Sequence, residues 1–161
     1  MSKTCSDHIK STICDEVLVR DVMTKDPITV QKFENIIKAA HILADKGISG
    51  IPVVDKERRV IGVVTQADIL AMVGMRKEHT FKDFLKHALG EPLLERKTGD
   101  IVADIMTTGV VTVSPEVSIA KVAQIMDEKK IRRLPVVDGE KKLIGIISRA
   151  DILKAILKKL Q

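Results

Sequence analysis

The sequence predicts an α+β fold: two pseudo-symmetric βαββα units packed into one module, with an extra helix between them. Three observations lead there. First, residues 21–70 recur at 104–153 with a constant offset of 83 and no gap, and by direct comparison about 22 of roughly 50 positions are identical. Asp21-Val22-Met23-Thr24 returns as Asp104-Ile105-Met106-Thr107, and Ile51-Pro52-Val53-Val54-Asp55 as Leu134-Pro135-Val136-Val137-Asp138. Second, each copy alternates short aliphatic runs with stretches of helical period. Third, a repeat this short cannot bury its apolar face alone, so the two copies are expected to stack about a pseudo-two-fold axis.

The expected organisation is an N-terminal arm (1–18), a first repeat (19–72), a helical connection (73–100) and a second repeat (101–161). Each repeat opens with a short segment, Val19–Met23 or Ile101–Met106, then a brief extended run, Ile28-Thr29-Val30 or Val111-Thr112-Val113. Ile36, Ile37, Ala40, Leu43 and Ala44 follow at helical spacing, with Gly47 placed for a left-handed cap. The second copy keeps Ile119, Val122, Ala123 and Met126 but has Lys130 where the glycine stood. That helix either ends differently or holds Lys130 in a strained backbone. Two buried strands come next in each copy, 51–54 with 60–64 and 134–137 with 143–147. Pro52 and Pro135 cannot donate to a ladder and mark strand starts or edges. A second helix begins near Thr65 or Ser148. In the connection, Thr80-Phe81-Lys82-Asp83 reads as a helix start, with Phe81, Phe84, Leu85 and Ala88 on one face and Gly90 and Pro92 as stops. The C-terminal stretch Ile152, Leu153, Ile156, Leu157 and Leu160 is amphipathic, opposite Lys154, Lys158 and Lys159, and is expected to dock on its own domain.

Composition narrows the functional classes. The 161 residues are 45% hydrophobic and 30% charged, with three Phe and no Trp or Tyr, so an aliphatic core is expected. No apolar run approaches the roughly 18 residues of a membrane span, and the polar start lacks a signal-peptide core, so the cytoplasm is the default. The net charge is +5 and the pI about 9.2. Nucleic-acid binding is not expected, because the basic clusters have no aromatic stacking platforms beside them. Cys5, His8 and Cys14 form a C-x2-H-x5-C pattern. Structural zinc usually takes four ligands in tighter pairs, so reduced thiols and no metal are the expectation.

No catalytic constellation emerges: there is no phosphate-cradling glycine loop, zinc-protease motif or nucleophile elbow. The repeated carboxylates are Asp68 and Asp151, each three residues beyond a hydroxyl, Thr65 or Ser148. One reading is a capping-box-like helix start, with the carboxylate also complementing the helix dipole. Glu or Gln reaches back more easily than Asp, which leaves room for a second reading. A carboxylate can accept both hydroxyls of a ribose, and a hydroxyl with helix-start amides can cradle phosphate. The readings are compatible, and both stay open.

The paired pattern DVMT…TV…GIPVVD…IGVVTQADIL and DIMT…TV…RRLPVVD…IGIISRADIL resembles a tandem cystathionine-β-synthase (CBS) domain pair, the Bateman module, over roughly 19–157. The resemblance implies two clefts between repeats, frequent dimerisation, and regulatory binding of AMP, ADP, ATP or S-adenosylmethionine. It places the ribose carboxylate at Asp68 and Asp151 and the neighbouring hydroxyl at Thr65 and Ser148. Adenine-side contacts fall on Thr29-Val30 and Thr112-Val113. The remaining wall falls on Ser49, Gly50, Ile51 and Pro52, and on Arg132, Arg133, Leu134 and Pro135. Gly50 faces Arg133 and Gln66 faces Arg149 across the repeat, so the two sites should differ. The expected function is ligand sensing without catalysis, required cofactor or membrane, with occupancy signalled to a partner protein through assembly, most simply as a homodimer. The alternative is a ligand-independent oligomerisation scaffold.

Overall fold

The computed structural model describes residues 16–72 and 100–161. The cysteines, His8 and the helix expected from Thr80 lie outside the described residues. In chain order the elements are α1 (Val19–Val22), β1 (Thr24–Lys25), β2 (Val30–Gln31), α2 (Ile36–Asp45), β3 (Gly50–Val54), β4 (Val60–Thr65) and α3 (Gln66–Met72). A 3-10 turn (Val102–Asp104) follows, then α4 (Ile119–Lys129), β5 (Arg133–Val137), β6 (Leu143–Ser148) and α5 (Arg149–Leu160). β3 and β4 map onto β5 and β6 at the offset of 83, end for end, as the aliphatic runs predict.

The chain divides into two compact units, one of Met1–Pro27, Glu57–Val60 and Val111–Gln161, the other of Ile28–Lys56 and Ile61–Val110. In the first, β5 pairs antiparallel with β6, and β6 pairs antiparallel with β1. Val113 forms a parallel bridge to Val136 on the outer side of β5. In the second, the sheet runs β2-β3-β4, with β2 parallel to β3, and Thr107 bridges Val63 on β4. The opening segment of each repeat is therefore built into the unit that holds the rest of the other repeat. The exchange is reciprocal: Thr24 lies opposite Ile146, and Thr107 lies opposite Val63, the same position 83 residues earlier.

Both cores are aliphatic. The first gathers Val17, Val19, Val113, Ile119, Val122, Met126, Leu134, Val136, Ile147 and Ile152. The second gathers Val30, Ala39, Leu43, Ile51, Val53, Val64 and Val102. Phe33, the one described aromatic, is 70% exposed with the Lys32 ammonium over its ring. The alternation of β6 puts Leu143, Gly145 and Ile147 inside and leaves Ile144, Ile146 and Ser148 half-buried. Helices α2 and α4 start at equivalent caps: the Asn35 side chain accepts from the Ile37 amide, and the Ser118 hydroxyl from the Lys121 amide.

Lys130 takes the strained alternative. It caps α4 at φ 55° and ψ 38°, the left-handed conformation that Gly47 adopts at φ 60°. A β-carbon in that region costs about 1–2 kcal/mol. The Lys130 ammonium meets Asp127 at 3.4 Å, but both groups are largely exposed and such a pair contributes little. Lys130→Gly is therefore expected to stabilise the protein by about 0.5–1 kcal/mol, once the larger backbone entropy of unfolded glycine is subtracted. Thermal denaturation should show a midpoint a few degrees higher, and an unchanged or lower midpoint would contradict the argument.

Candidate functional site

Each set of residues singled out from the sequence falls within one unit. In the first unit, the Val113 amide donates to the Pro135 carbonyl at 3.1 Å, and the Val137 amide donates to the Val113 carbonyl at 2.9 Å. This lays Thr112-Val113 along the outer edge of β5. On the other edge, Arg133 is directly opposite Ser148, so their side chains leave the same sheet face as close neighbours. The Arg149 amide donates to the Arg132 carbonyl at 3.0 Å, which fixes the start of α5 beside the start of β5. Thr112, Arg133, Ser148 and Asp151 are thereby gathered at one end of one sheet. The second unit repeats the plan. Val30 pairs with Val53, so Thr29-Val30 flanks β3, and the Gln66 amide donates to the Ser49 carbonyl at 3.1 Å.

At the repeated carboxylates one oxygen caps the helix. Asp68 Oδ2 accepts from the Thr65 amide (2.7 Å) and hydroxyl (2.8 Å), and the Thr65 Oγ1 accepts from the Asp68 amide (3.2 Å). Asp151 and Ser148 reproduce the set at 2.8, 2.9 and 3.2 Å. Among the described residues, nothing donates to the second oxygen of either carboxylate, and each Asp is only partly buried. Capping thus uses half of each carboxylate. The sequence also suggests a phosphate cradle at these hydroxyls. Each hydroxyl proton is committed to the Asp, and in α5 the Arg149 and Asp151 amides are already bonded.

A second pair of acidic residues caps without having been singled out. The Leu18 amide donates to Asp21 Oδ2 at 3.0 Å, and the Ile101 amide to Asp104 Oδ2 at 3.4 Å. The repeated D-[VI]-M-T spacing was the available signal, but only the structure shows that its Asp reaches back three residues.

The two units differ in charge at equivalent positions. Ser49, Gly50 and Gln66 of one correspond to Arg132, Arg133 and Arg149 of the other. Gln66 Nε2 donates to the Ile48 carbonyl at 3.1 Å, whereas an Arg149 guanidinium nitrogen donates to the Met126 carbonyl at 3.4 Å. Arg133 is half-buried. That burial, and then the like charge of Arg132, hold its guanidinium below the ordinary arginine value. The cation stays charged at neutral pH but is poorly solvated. Among the described residues no His, Cys, Asp and Glu side chains cluster as a metal site, and no helix is long and apolar enough to cross a membrane.

Both sheets carry the hydroxyl–carboxylate pair at the start of their last helix, so the chain is a tandem duplication of one α+β unit. The CBS domain model matches residues 19–74 and 102–158, and the chain belongs to the CBS domain family. It is 30% identical to an uncharacterized protein of Methanocaldococcus jannaschii over 155 residues, covering 88% of this chain and 92% of that one. A second uncharacterized protein of the same organism is 39% identical over 149 residues, but there the chain spans only 34% of the relative's length. Among solved structures, it is similar to Arabidopsis thaliana CBSX2 in complex with AMP, with a TM-score of 0.72 and 30% identity, covering 90% of this chain and 99% of that one. The CBS domain pair of protein MJ0100, in complex with 5'-methylthioadenosine and S-adenosyl-L-methionine, matches with a TM-score of 0.67 and 27% identity, covering 89% and 98%.

Proposed function

We propose that this chain is a regulatory sensor that binds an adenine nucleotide or adenosyl compound at two sites, one at each hydroxyl–carboxylate pair, and signals occupancy to a partner protein. The carrying observation is the half-used carboxylate present in both units. One oxygen of Asp68 or Asp151 holds the helix start rigid, and the other is left to accept hydrogen bonds from a ribose diol. The strand ends Thr29-Val30 with Gly50-Ile51-Pro52, and Thr112-Val113 with Leu134-Pro135, supply an aliphatic wall for the base. The CBS-pair structures in complex with AMP and with S-adenosyl-L-methionine support the same ligand class. No catalytic role is assigned.

A thermal-shift panel of AMP, ADP, ATP, S-adenosylmethionine, NADH and cyclic dinucleotides tests this. A ligand at a hundred times its Kd that binds only the native state stabilises by about 2.7 kcal/mol. For a chain of this size the midpoint should then rise by roughly 5–10 °C. No shift with any of them at millimolar concentration would refute the sensor.

One observation favours the second reading, an oligomerisation scaffold. Leu153, Leu157 and Leu160 on α5 are 58%, 52% and 55% exposed at helical spacing, and Ile37 on α2 is 66% exposed. Such stripes are suited to isologous pairing, and we propose a homodimer that uses helices of both repeats. Light scattering on the panel samples reads this directly. A stable dimer indifferent to every nucleotide would favour the scaffold, and a monomer with and without ligand would refute the dimer.

A further inference from the structure

We infer that the two sites divide adenosyl ligands by charge: the site at Ser148–Asp151 takes the phosphorylated ligand, and the site at Thr65–Asp68 takes one without phosphates. The inference rests on the adenosyl-binding reading and goes beyond it in assigning a ligand class to each site. The base and ribose elements of the two sites correspond residue for residue at the offset of 83, so they should not discriminate between them. Around those shared elements, three cations replace three neutral residues: Arg132 for Ser49, Arg133 for Gly50 and Arg149 for Gln66. Arg133 is opposite Ser148 on the same sheet face, one strand from the ribose carboxylate. That register sets Arg133 beside the hydroxyl–carboxylate pair expected to hold the ribose, and a guanidinium binds phosphate as a bidentate fork.

Arg133 is half-buried beside the like charge of Arg132, and a phosphate dianion is attracted to the pair. The wider field acts in the same direction. The described residues of the first unit, 16–27, 57–60 and 111–161, hold fifteen Lys and Arg against ten Asp and Glu, whereas those of the other unit, 28–56, 61–72 and 100–110, hold four against six. A polyphosphate is therefore attracted more strongly to the first unit than to the second. The hydroxyl–carboxylate bonds, alike in both units, favour neither ligand class.

The test is calorimetric titration of the full chain with adenosine, AMP and ATP, each at low and high salt. In the wild type, ATP should bind the tighter of two sites and lose affinity with salt, whereas adenosine should be nearly salt-independent. Arg133→Ala should weaken ATP at that site by about tenfold or more, because hydrogen bonds to charged groups are strong, and adenosine by less than about threefold. Because a half-buried residue is altered, a second variant is needed that adds charge at an exposed position. Gln66→Arg should raise ATP affinity at the other site by several-fold with adenosine unchanged. Equal losses for ATP and adenosine in Arg133→Ala, or no gain in Gln66→Arg, would overturn the division while leaving adenosyl binding intact. Absence of heat with all three ligands would overturn both.

Discussion

Gly145→Ala is expected to destabilise the protein by about 1–3 kcal/mol, the range for forcing extra methyl groups into a packed interior. A β-carbon at Gly145 would stand 2.5 Å from the Met23 Sδ and 3.0 Å from the Thr24 carbonyl oxygen. The thioether can swing aside, but the carbonyl belongs to the two-residue ladder of β1 on β6, where Lys25 lies opposite Gly145 itself. Relief therefore means shifting β1 by a few tenths of an ångström against β6, which strains the packing of the neighbouring Val19, fully buried in the same core. Gly62→Ala should behave alike. Its β-carbon would stand 2.9 Å from both the Met106 Sδ and the Thr107 carbonyl oxygen, and that carbonyl is held by the Val63 amide at 3.0 Å. Gly139→Ala is the control: nothing lies within 4 Å of its β-carbon position, and it should stay within about 0.5 kcal/mol of the wild type. Urea denaturation of the three variants measures this. If Gly145→Ala unfolded at the same midpoint as Gly139→Ala, the exchanged opening segments would have no role in stability.

The second large effect concerns affinity. Asp68→Asn and Asp151→Asn should each lower adenosyl-ligand affinity at the altered site by about tenfold or more. The change would leave the folding stability within about 1 kcal/mol. The asymmetry follows from the two oxygens. The Asn carbonyl can replace Oδ2 and still accept from the Thr65 or Ser148 amide and hydroxyl, so the helix start survives and only the charge–dipole contribution is lost. The second oxygen then becomes an NH2 group, which presents donors to the donors of a ribose diol. Hydrogen bonds to a charged acceptor contribute roughly 1.5–3 kcal/mol, which is tenfold or more in Kd. Asp151→Asn should weaken the ATP-preferring isotherm and Asp68→Asn the other. Unchanged affinity and stoichiometry in both variants, with wild-type stability, would leave the carboxylates as helix caps alone.

Much of this arrangement is legible in one dimension. The offset of 83 predicts that β3 and β4 recur as β5 and β6, because a buried strand needs an unbroken aliphatic run and such runs are local. The hydroxyl three residues before Asp68 and Asp151 is likewise a local signal, since a helix start brings those positions together whatever surrounds them. Local pattern could not say that the carboxylate divides its two oxygens, because that depends on which donors approach it.

Tertiary structure alone decided where Val19–Met23 and Ile101–Met106 belong. Both openers carry the same Asp-x-Met-Thr, and both sheets offer the same glycine as a receiving notch, Gly62 or Gly145. Pairing with the same repeat or with the other one would therefore look identical in sequence, and only the long-range packing of Met106 at Gly62 and Met23 at Gly145 distinguishes them. Lys130 was decided in the same way. The sequence left its backbone open, and the left-handed turn follows because β5 must start where β3 starts in the other copy. A side chain that disfavours that turn is overruled by the buried strand that follows it.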